Sequence, residues 1–236
     1  SKGALSVDVR GAYQQYLDDW EQLGSPWELW VNKLEHARAL FGGMVGAGPE
    51  EIAVATSVSQ AVSSLASAID FRGPRNKIVV DDFAFPAVAQ VWHAQAARGA
   101  QVVHVPAAGN SIPLSRYEEL IDERTALVSL AHVCYRNGVK QDAAAIAEIA
   151  HRKGAIVLLD AYQSLGAEPF DVKALNVDLL VGGDLKYLLG STGVAWLYVR
   201  KELLSSLFPT SGGWFTQANI FAMDIYHHTP SPSARR

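Results

Sequence analysis

The sequence has few of the features that mark secreted, membrane or disulfide-stabilised proteins. It contains one cysteine, Cys134, in 236 residues, so no disulfide can form within the chain, and we expect a reducing, cytoplasmic environment. Its apolar stretches are far shorter than the ~20 residues that cross a bilayer, so no membrane partner is expected. The opening residues, SKGALSVDVR, lack a basic segment followed by an apolar one, so we expect no secretory signal.

An excess of charge of one sign is also missing. The 20 Lys and Arg residues face 24 Asp and Glu residues, which gives a formal net charge of −4. Because the cations are scattered and form no basic stripe, the sequence predicts no nucleic-acid partner. The histidines, including the adjacent pair His227 and His228, lack the spacing of zinc ligands. We therefore expect no metal site.

Apolar residues, in contrast, are plentiful at 49% of the chain, enough to build a large core. Helical segments lie between most of a series of short apolar runs rich in β-branched residues. These runs are EIAVATS, KIVVDDF, AQVVHVP, TALVSLAHV, AIVLLDA, VDLLVGG and VAWLYVR. Strands that alternate with helices predict an α/β fold. We expect three α/β/α layers around a mainly parallel, seven-stranded sheet.

The same pattern suggests how the chain is divided. Residues 1–44 have helical periodicity and lead to Gly42 and Gly43, so we expect an N-terminal helical segment. The alternating strands and helices fill a large domain over residues 45–215. Residues 216–236 lose the alternation and are rich in Pro, Ser and aromatic residues. We expect them to connect to a C-terminal small domain that is missing from this sequence.

Polar and aromatic residues follow the first two predicted strands at their carboxyl ends, where open α/β sheets bind ligands. Thr56, Ser57 and Val58 open a helix, and they either only cap it or also bind a phosphate at its N-terminus. Phe85 follows the next strand and is either a core residue or a surface on which a planar ring stacks. Taken alone, neither position settles the choice.

Two charged residues follow later strands. Asp160 ends a fully apolar strand, where a carboxylate needs a cation or strong donors, although it could simply cap a helix. Lys186 follows Gly182 and Gly183 after the next strand. It is either a surface lysine or an amine with a lowered pKa that forms a Schiff base. A phosphate site, an aromatic face, an acid and a lysine are together the parts that pyridoxal 5′-phosphate (PLP) requires.

Several segments resemble a known family and occur in that family's order. They are TSVSQAV, DDFAFPA, SLAHVCYRNG, LLDAYQSLGAEPFDVKALNVDLLVGG, DLKYLLGSTGVAWLYVR and GGWF. In these segments, which cover most of residues 50–215, the chain resembles the class V aminotransferase-like branch of fold-type-I PLP enzymes. That branch includes kynureninases, isopenicillin-epimerase-like proteins and cysteine desulfurases. The resemblance implies a PLP-binding large domain, a homodimer, and an amino acid or amine as the small-molecule substrate.

The resemblance also implies a role for each matching residue. Lys186 would form the Schiff base and carry the proton between the substrate Cα and the cofactor. Asp160 would keep the pyridine nitrogen protonated, Gln163 would lie near the phenolic oxygen, and Phe85 would stack on the ring. The phosphate is expected at Thr56, Ser57 and Val58.

The sequence departs from the family pattern at Asp184 and Leu185, where many relatives have Ser and His. A carboxylate would repel the phosphate. Either the phosphate is held differently, or Asp184 faces a partner subunit or a backbone donor. Phe85 stands where desulfurases carry His, and the His before Lys186 is missing too. Both differences favour transamination or kynureninase-like lyase chemistry.

Three alternatives remain at this point. The first is a cysteine desulfurase or C–S lyase of the same family, and the second is a non-catalytic relative that has lost the cofactor. The third is a nucleotide-binding α/β domain, which the absence of a G-x-G-x-x-G motif and of a P-loop disfavours.

Overall fold

The computed structural model describes residues 3–235, and it begins with two helices, α1 (Val7–Leu23) and α2 (Trp27–Val45). The Oγ of Ser6 caps α1 by accepting the N–H of Val9 at 3.1 Å. Gly46, with φ of 76°, ends α2 in the left-handed conformation that favours glycine. The helices predicted in the N-terminal segment are confirmed, while the domain boundaries at residues 44 and 215 stay a prediction. Residues 1, 2 and 236 of the predicted segments lie outside the described residues.

Seven strands follow, and they form one sheet. Their bounds are β1 Ile52–Ala55, β2 Lys77–Asp81, β3 Gln101–Val105, β4 Thr125–Ala131, β5 Ile156–Asp160, β6 Leu179–Gly183 and β7 Ala195–Val199. The strand order is β1-β7-β6-β5-β4-β2-β3. All neighbouring pairs from β6 through to β3 are parallel, and β7 runs antiparallel to both β6 and β1. The predicted mainly parallel, seven-stranded sheet is confirmed.

Helices cover both faces of this sheet. The remaining α-helices are α3 Val58–Ser67, α4 Pro86–Ala94, α5 Leu114–Leu120 and α6 Ala143–Arg152. Short 3-10 helices span Pro49–Glu51, Gln95–Arg98, Lys201–Ser205, Trp214–Thr216 and Ile220–Ala222. One core cluster joins α2, α5 and α6 to one face, and a second joins α3 and α4 to the other. In β5, Val157 and Leu159 belong to the first cluster and Leu158 to the second, so the strand is buried on both sides.

The carboxyl ends of the parallel strands meet at one edge of the sheet. Ala131 pairs with Asp160, and Asp160 pairs with Val181. Residues 161–178 connect β5 to β6 through turns and contain no helix among the described residues. Because β7 is antiparallel to β6, residues 184–194 form a loop at this same edge, and that loop carries Lys186. Within residues 3–235, no helix combines the length and apolar character needed to cross a membrane.

Candidate active site

A cavity of about 460 Å³ opens at the carboxyl edge of the sheet. Residues that follow β1, β2, β4, β5 and β6 line it, so distant parts of the sequence converge there. The structure brings every predicted site residue to this cavity: Thr56, Ser57, Val58, Phe85, Asp160, Gln163 and Lys186. Their placement together is an observation, and the role of each residue stays a prediction.

A second cavity, of about 890 Å³, lies among residues 208–230 and is lined by Trp214, Asp224, His227 and His228, among others. It contains none of the predicted site residues. His227 contacts the carboxylate of Asp224 at 3.2 Å, and both side chains are on the surface. We place the candidate active site in the smaller cavity because the buried acid and the half-buried amine are there.

The amine of Lys186 lies between two aromatic rings. Its Nζ is 4.7 Å from the ring centre of Tyr162 and 5.5 Å from that of Phe85. Burial lowers the pKa of the Lys186 amine, and the nearby charge of Asp160 partly opposes this. A lowered pKa increases the fraction of neutral amine, which is the nucleophilic form. Lys186 is therefore not the fully solvated surface lysine that the sequence left open.

Asp160 is the last residue of β5 and is only 8% exposed. Its Oδ1 accepts the N–H of Tyr162 at 3.0 Å. Burial raises the pKa of the carboxyl group, while the Tyr162 N–H and the charge of Lys186 lower it. The contact to the residue two positions ahead is an Asx-type turn, and turns rather than a helix follow it. The alternative that Asp160 caps a helix is therefore wrong.

The start of α3 forms another wall of the cavity. The Oγ of Ser57 accepts the N–H of Gln60 at 3.1 Å, so Ser57 is a helix cap. The hydroxyl of Thr56 donates to the side-chain oxygen of Gln60 at 2.7 Å. The N–H groups of Val58 and Ser59 belong to the first helical turn, which has no acceptors within the helix. Both residues line the cavity, so this positive helix end faces it.

Phe85 and Gln163 complete the predicted set. Phe85 precedes α4 and is 44% exposed, and its ring meets that of Tyr135 edge-on with centroids 5.1 Å apart. It is thus not a core residue, and its ring is available on the cavity side. Gln163 is half-buried on the turn that follows Asp160.

Asp184, the residue at which the sequence departs from the family pattern, points toward β7. It is not among the residues that line the cavity. Its carboxylate accepts a hydrogen bond from the indole Nε1 of Trp196, and the indole stacks on Phe41 with centroids 4.6 Å apart. Burial raises the pKa of Asp184, and the bond from Trp196 lowers it. The donor is a side chain of the same chain, which is neither the backbone donor nor the partner subunit that the sequence analysis gave as alternatives to a differently held phosphate.

A buried network behind the cavity escaped the sequence analysis. Asp81 ends β2, is 1% exposed, and accepts the backbone N–H groups of Phe83 at 2.9 Å and Ala131 at 2.8 Å. The amide of Gln141 donates to the same carboxylate at 2.8 Å, and the hydroxyl of Tyr117 donates to the oxygen of Gln141 at 2.7 Å. Burial raises the pKa of Asp81 to about 6, although these hydrogen bonds oppose the shift. Asp81 therefore links the ends of β2 and β4 by hydrogen bonds.

Further residues that line the cavity were also missed. They include Tyr135, Tyr162 and Thr192. A signal existed for Tyr162, since it follows Asp160 by two residues at the same strand end. Tyr135 and Thr192 lie in irregular segments, and only the folded chain shows that these face the cavity.

Comparison with known proteins identifies the family. The family model described as aminotransferase class-V matches residues 10–235. An uncharacterized aminotransferase of Bacillus subtilis, YcbU, is 43% identical over 94% of this chain and 59% of its own length. A kynureninase of Geobacillus thermodenitrificans is 29% identical over 99% of this chain and 58% of its own.

A solved structure of another protein has a similar fold. The apo cysteine desulfurase of Thermococcus onnurineus superposes with a TM-score of 0.79 at 25% identity, over 89% of this chain and 52% of that one. The chain thus spans between half and three fifths of the length of these relatives. The family model covers nearly all of the sequence. The chain belongs to the aminotransferase class-V family.

Proposed function

We propose that this chain is the cofactor-binding part of a PLP-dependent enzyme that acts on an amino acid or an amine. Transamination or kynureninase-like lyase chemistry is the proposed reaction. The observation that carries the proposal is the pairing of one half-buried amine, Lys186, with one buried acid, Asp160, in a single cavity at the carboxyl edge of the sheet. We further propose a cytoplasmic homodimer, as the resemblance to the family implies.

The cavity fits the cofactor in size and in chemistry. Its volume of about 460 Å³ is within the range of roughly 300–1,000 Å³ that is usual for small-molecule sites. Its walls offer an aromatic face at Phe85 and the N-terminus of α3 for an anion. Among the described lining residues, Lys186 is the single Lys or Arg and Asp160 the single carboxylate. An amine, an acid, an aromatic face and an anion site, the four kinds of group that PLP requires, are therefore all present.

The proposal assigns these groups as follows. Lys186 would bind the aldehyde carbon of PLP, and Asp160 the pyridine nitrogen. Gln163 and Phe85 would contact the ring, and the phosphate would bind at the segment formed by Thr56, Ser57 and Val58. When bound, PLP supplies an electron sink for negative charge that develops at the substrate Cα.

The chain's own side chains would supply proton transfer and charge stabilisation. The lowered pKa of Lys186 favours a neutral amine that can accept a proton from the substrate Cα and return it. Asp160, held at Oδ1 by the Tyr162 N–H, would hold the pyridine nitrogen and stabilise its positive charge. Lys186 is the single amine among the described residues that line the cavity, so it is the group proposed to move protons.

The proposal is tested by trapping the cofactor on the protein. The chain is incubated with PLP and reduced with borohydride, and the modified peptide is identified by mass spectrometry. We expect one adduct, on Lys186, that is absent from Lys186→Ala and retained in Lys153→Ala. Lys153 is a matched control because it is a surface lysine paired with Glu123 at 2.7 Å. Equal labelling of Lys186→Ala, or no adduct at all, would contradict the proposal and favour a non-catalytic relative.

A further inference from the structure

Tyr162 contacts both of the charged groups on which the proposed function depends. Its backbone N–H donates to Oδ1 of Asp160 at 3.0 Å. Its ring centre is 4.7 Å from Nζ of Lys186. Burial raises the pKa of its phenol, and the backbone N–H of Leu185, the residue immediately before that lysine, lowers it. Tyr162 therefore lies between the end of β5 and the loop that follows β6.

The backbone beneath the ring is shaped to receive it. A Cβ added at Gly183, the last residue of β6, would lie 2.6 Å from the phenolic oxygen of Tyr162 and 2.7 Å from the adjoining ring carbon. Carbon atoms do not approach other heavy atoms this closely, so any larger residue at Gly183 would displace the ring. The absence of a side chain at Gly183 therefore lets the Tyr162 ring lie across the end of β6.

We propose that Tyr162 is a positioning residue that holds the amine of Lys186 opposite Asp160 and shields it from water. The inference rests on the proposed function only for the purpose that this arrangement serves, since the contacts are made by the chain's own residues. Two parts of Tyr162 have separate tasks. The ring covers the amine, and the hydroxyl fixes the backbone of the lysine loop through Leu185.

The ring has two opposing effects on the amine. Its π face attracts the charged ammonium, whereas its bulk removes water from that charge. Burial is the larger influence on Lys186 and lowers its pKa. Removing the ring should therefore admit water and raise the pKa of the amine toward the ordinary lysine value. Removing only the hydroxyl should leave the ring over the amine but make the backbone of the lysine loop more mobile.

The first test measures the reactivity of Lys186 in the cofactor-free chain. Acetylation by acetic anhydride, which reacts with neutral amines, is followed by peptide mapping across the alkaline pH range. We expect Tyr162→Ala to raise the midpoint by about one pH unit, which makes labelling about tenfold slower near pH 8. Tyr135→Ala is the matched control, because Tyr135 lines the same cavity but packs on Phe85, and its midpoint should equal that of wild type. A wild-type midpoint in Tyr162→Ala would overturn the proposal.

The second test does not depend on the alanine variant being folded. Tyr162→Phe keeps the ring and removes the acceptor of the Leu185 N–H, so the Leu185 amide should exchange its hydrogen about fivefold faster, as expected for one lost hydrogen bond. The acetylation midpoint of Lys186 should stay at the wild-type value in this variant. Unchanged exchange at Leu185 would contradict the role of the hydroxyl. Neither test uses PLP, so trapping of the cofactor can fail while this inference holds, and the reverse is also possible.

Discussion

The stability of the fold should depend on pH through Asp81, the buried carboxyl behind the cavity. Burial raises its pKa in the folded protein from 3.8 to about 6. The folded state thus binds this proton more tightly than the unfolded chain does. The resulting stabilisation is complete below the unfolded pKa and is lost as pH rises through the folded pKa. A difference of roughly two pH units corresponds to about 3 kcal/mol, lost between about pH 4 and pH 7.

Replacing the carboxyl by an amide removes this dependence. Asp81→Asn keeps an oxygen for the Phe83 N–H but turns an NH2 group toward the Ala131 N–H and the Gln141 amide, which are donors themselves. Unsatisfied donors cost about 1–3 kcal/mol, so the variant should be the less stable protein at pH 4. Wild type then loses about 3 kcal/mol of stability between pH 4 and pH 7. The difference in unfolding free energy between the two proteins should therefore disappear or change sign at pH 7.

The assay is urea denaturation followed by tryptophan fluorescence at a series of pH values. The informative quantity is the difference in unfolding free energy between variant and wild type, since the other titrating groups cancel in it. Val80→Ala is the control, because Val80 is fully buried in the same strand and does not titrate. Its difference from wild type should be constant with pH. A constant difference for Asp81→Asn as well would refute the assignment of a raised pKa to this carboxyl.

Two further predictions concern the strands that flank the loop carrying Lys186. Gly183→Ala should destabilise the chain by about 1–3 kcal/mol, because the new Cβ would overlap the Tyr162 ring. Gly11→Ala, in an exposed helix with open space around it, should instead stabilise by about 0.5–1 kcal/mol in the same denaturation experiment. Trp196→Phe keeps a ring to stack on Phe41 but removes the indole donor of Asp184. The substitution should destabilise the chain by about 1–3 kcal/mol. The loss of stability should be greater at pH 8 than at pH 4, because removing the donor raises the pKa of Asp184 further. Equal losses at both pH values would argue against the hydrogen bond from Trp196 to Asp184.

The fold was predictable because its signals are local. The inner strands are runs of apolar residues such as IVLLD, buried on both faces, and turns or helices with their own periodicity separate the runs. The reversal of β7 was not predictable in this way. An antiparallel strand buried on both sides has the same composition as a parallel one, so its direction is decided by tertiary packing.

The residues of the candidate site also fall into two groups, those that the sequence could reveal and those that only the folded chain reveals. Residues at strand ends, such as Asp160 and Lys186, could be found because the topology of a parallel sheet brings strand ends together. The partners of Asp81 and Asp184 could not be found. Gln141 is 60 positions from Asp81, and Trp196 becomes the donor for Asp184 only when β7 pairs with β6. Such contacts depend on the register of the strands, which a local pattern does not contain.

The central claim is that Asp160 and Lys186 act on one pyridine ring. It is tested most directly by the nitrogen-15 chemical shift of the ring nitrogen in labelled PLP bound to wild type and to Asp160→Asn. We predict a protonated ring nitrogen in wild type at neutral pH and an unprotonated one in the variant, with the cofactor on Lys186 in both. The same chemical shift in the two proteins would contradict the claim.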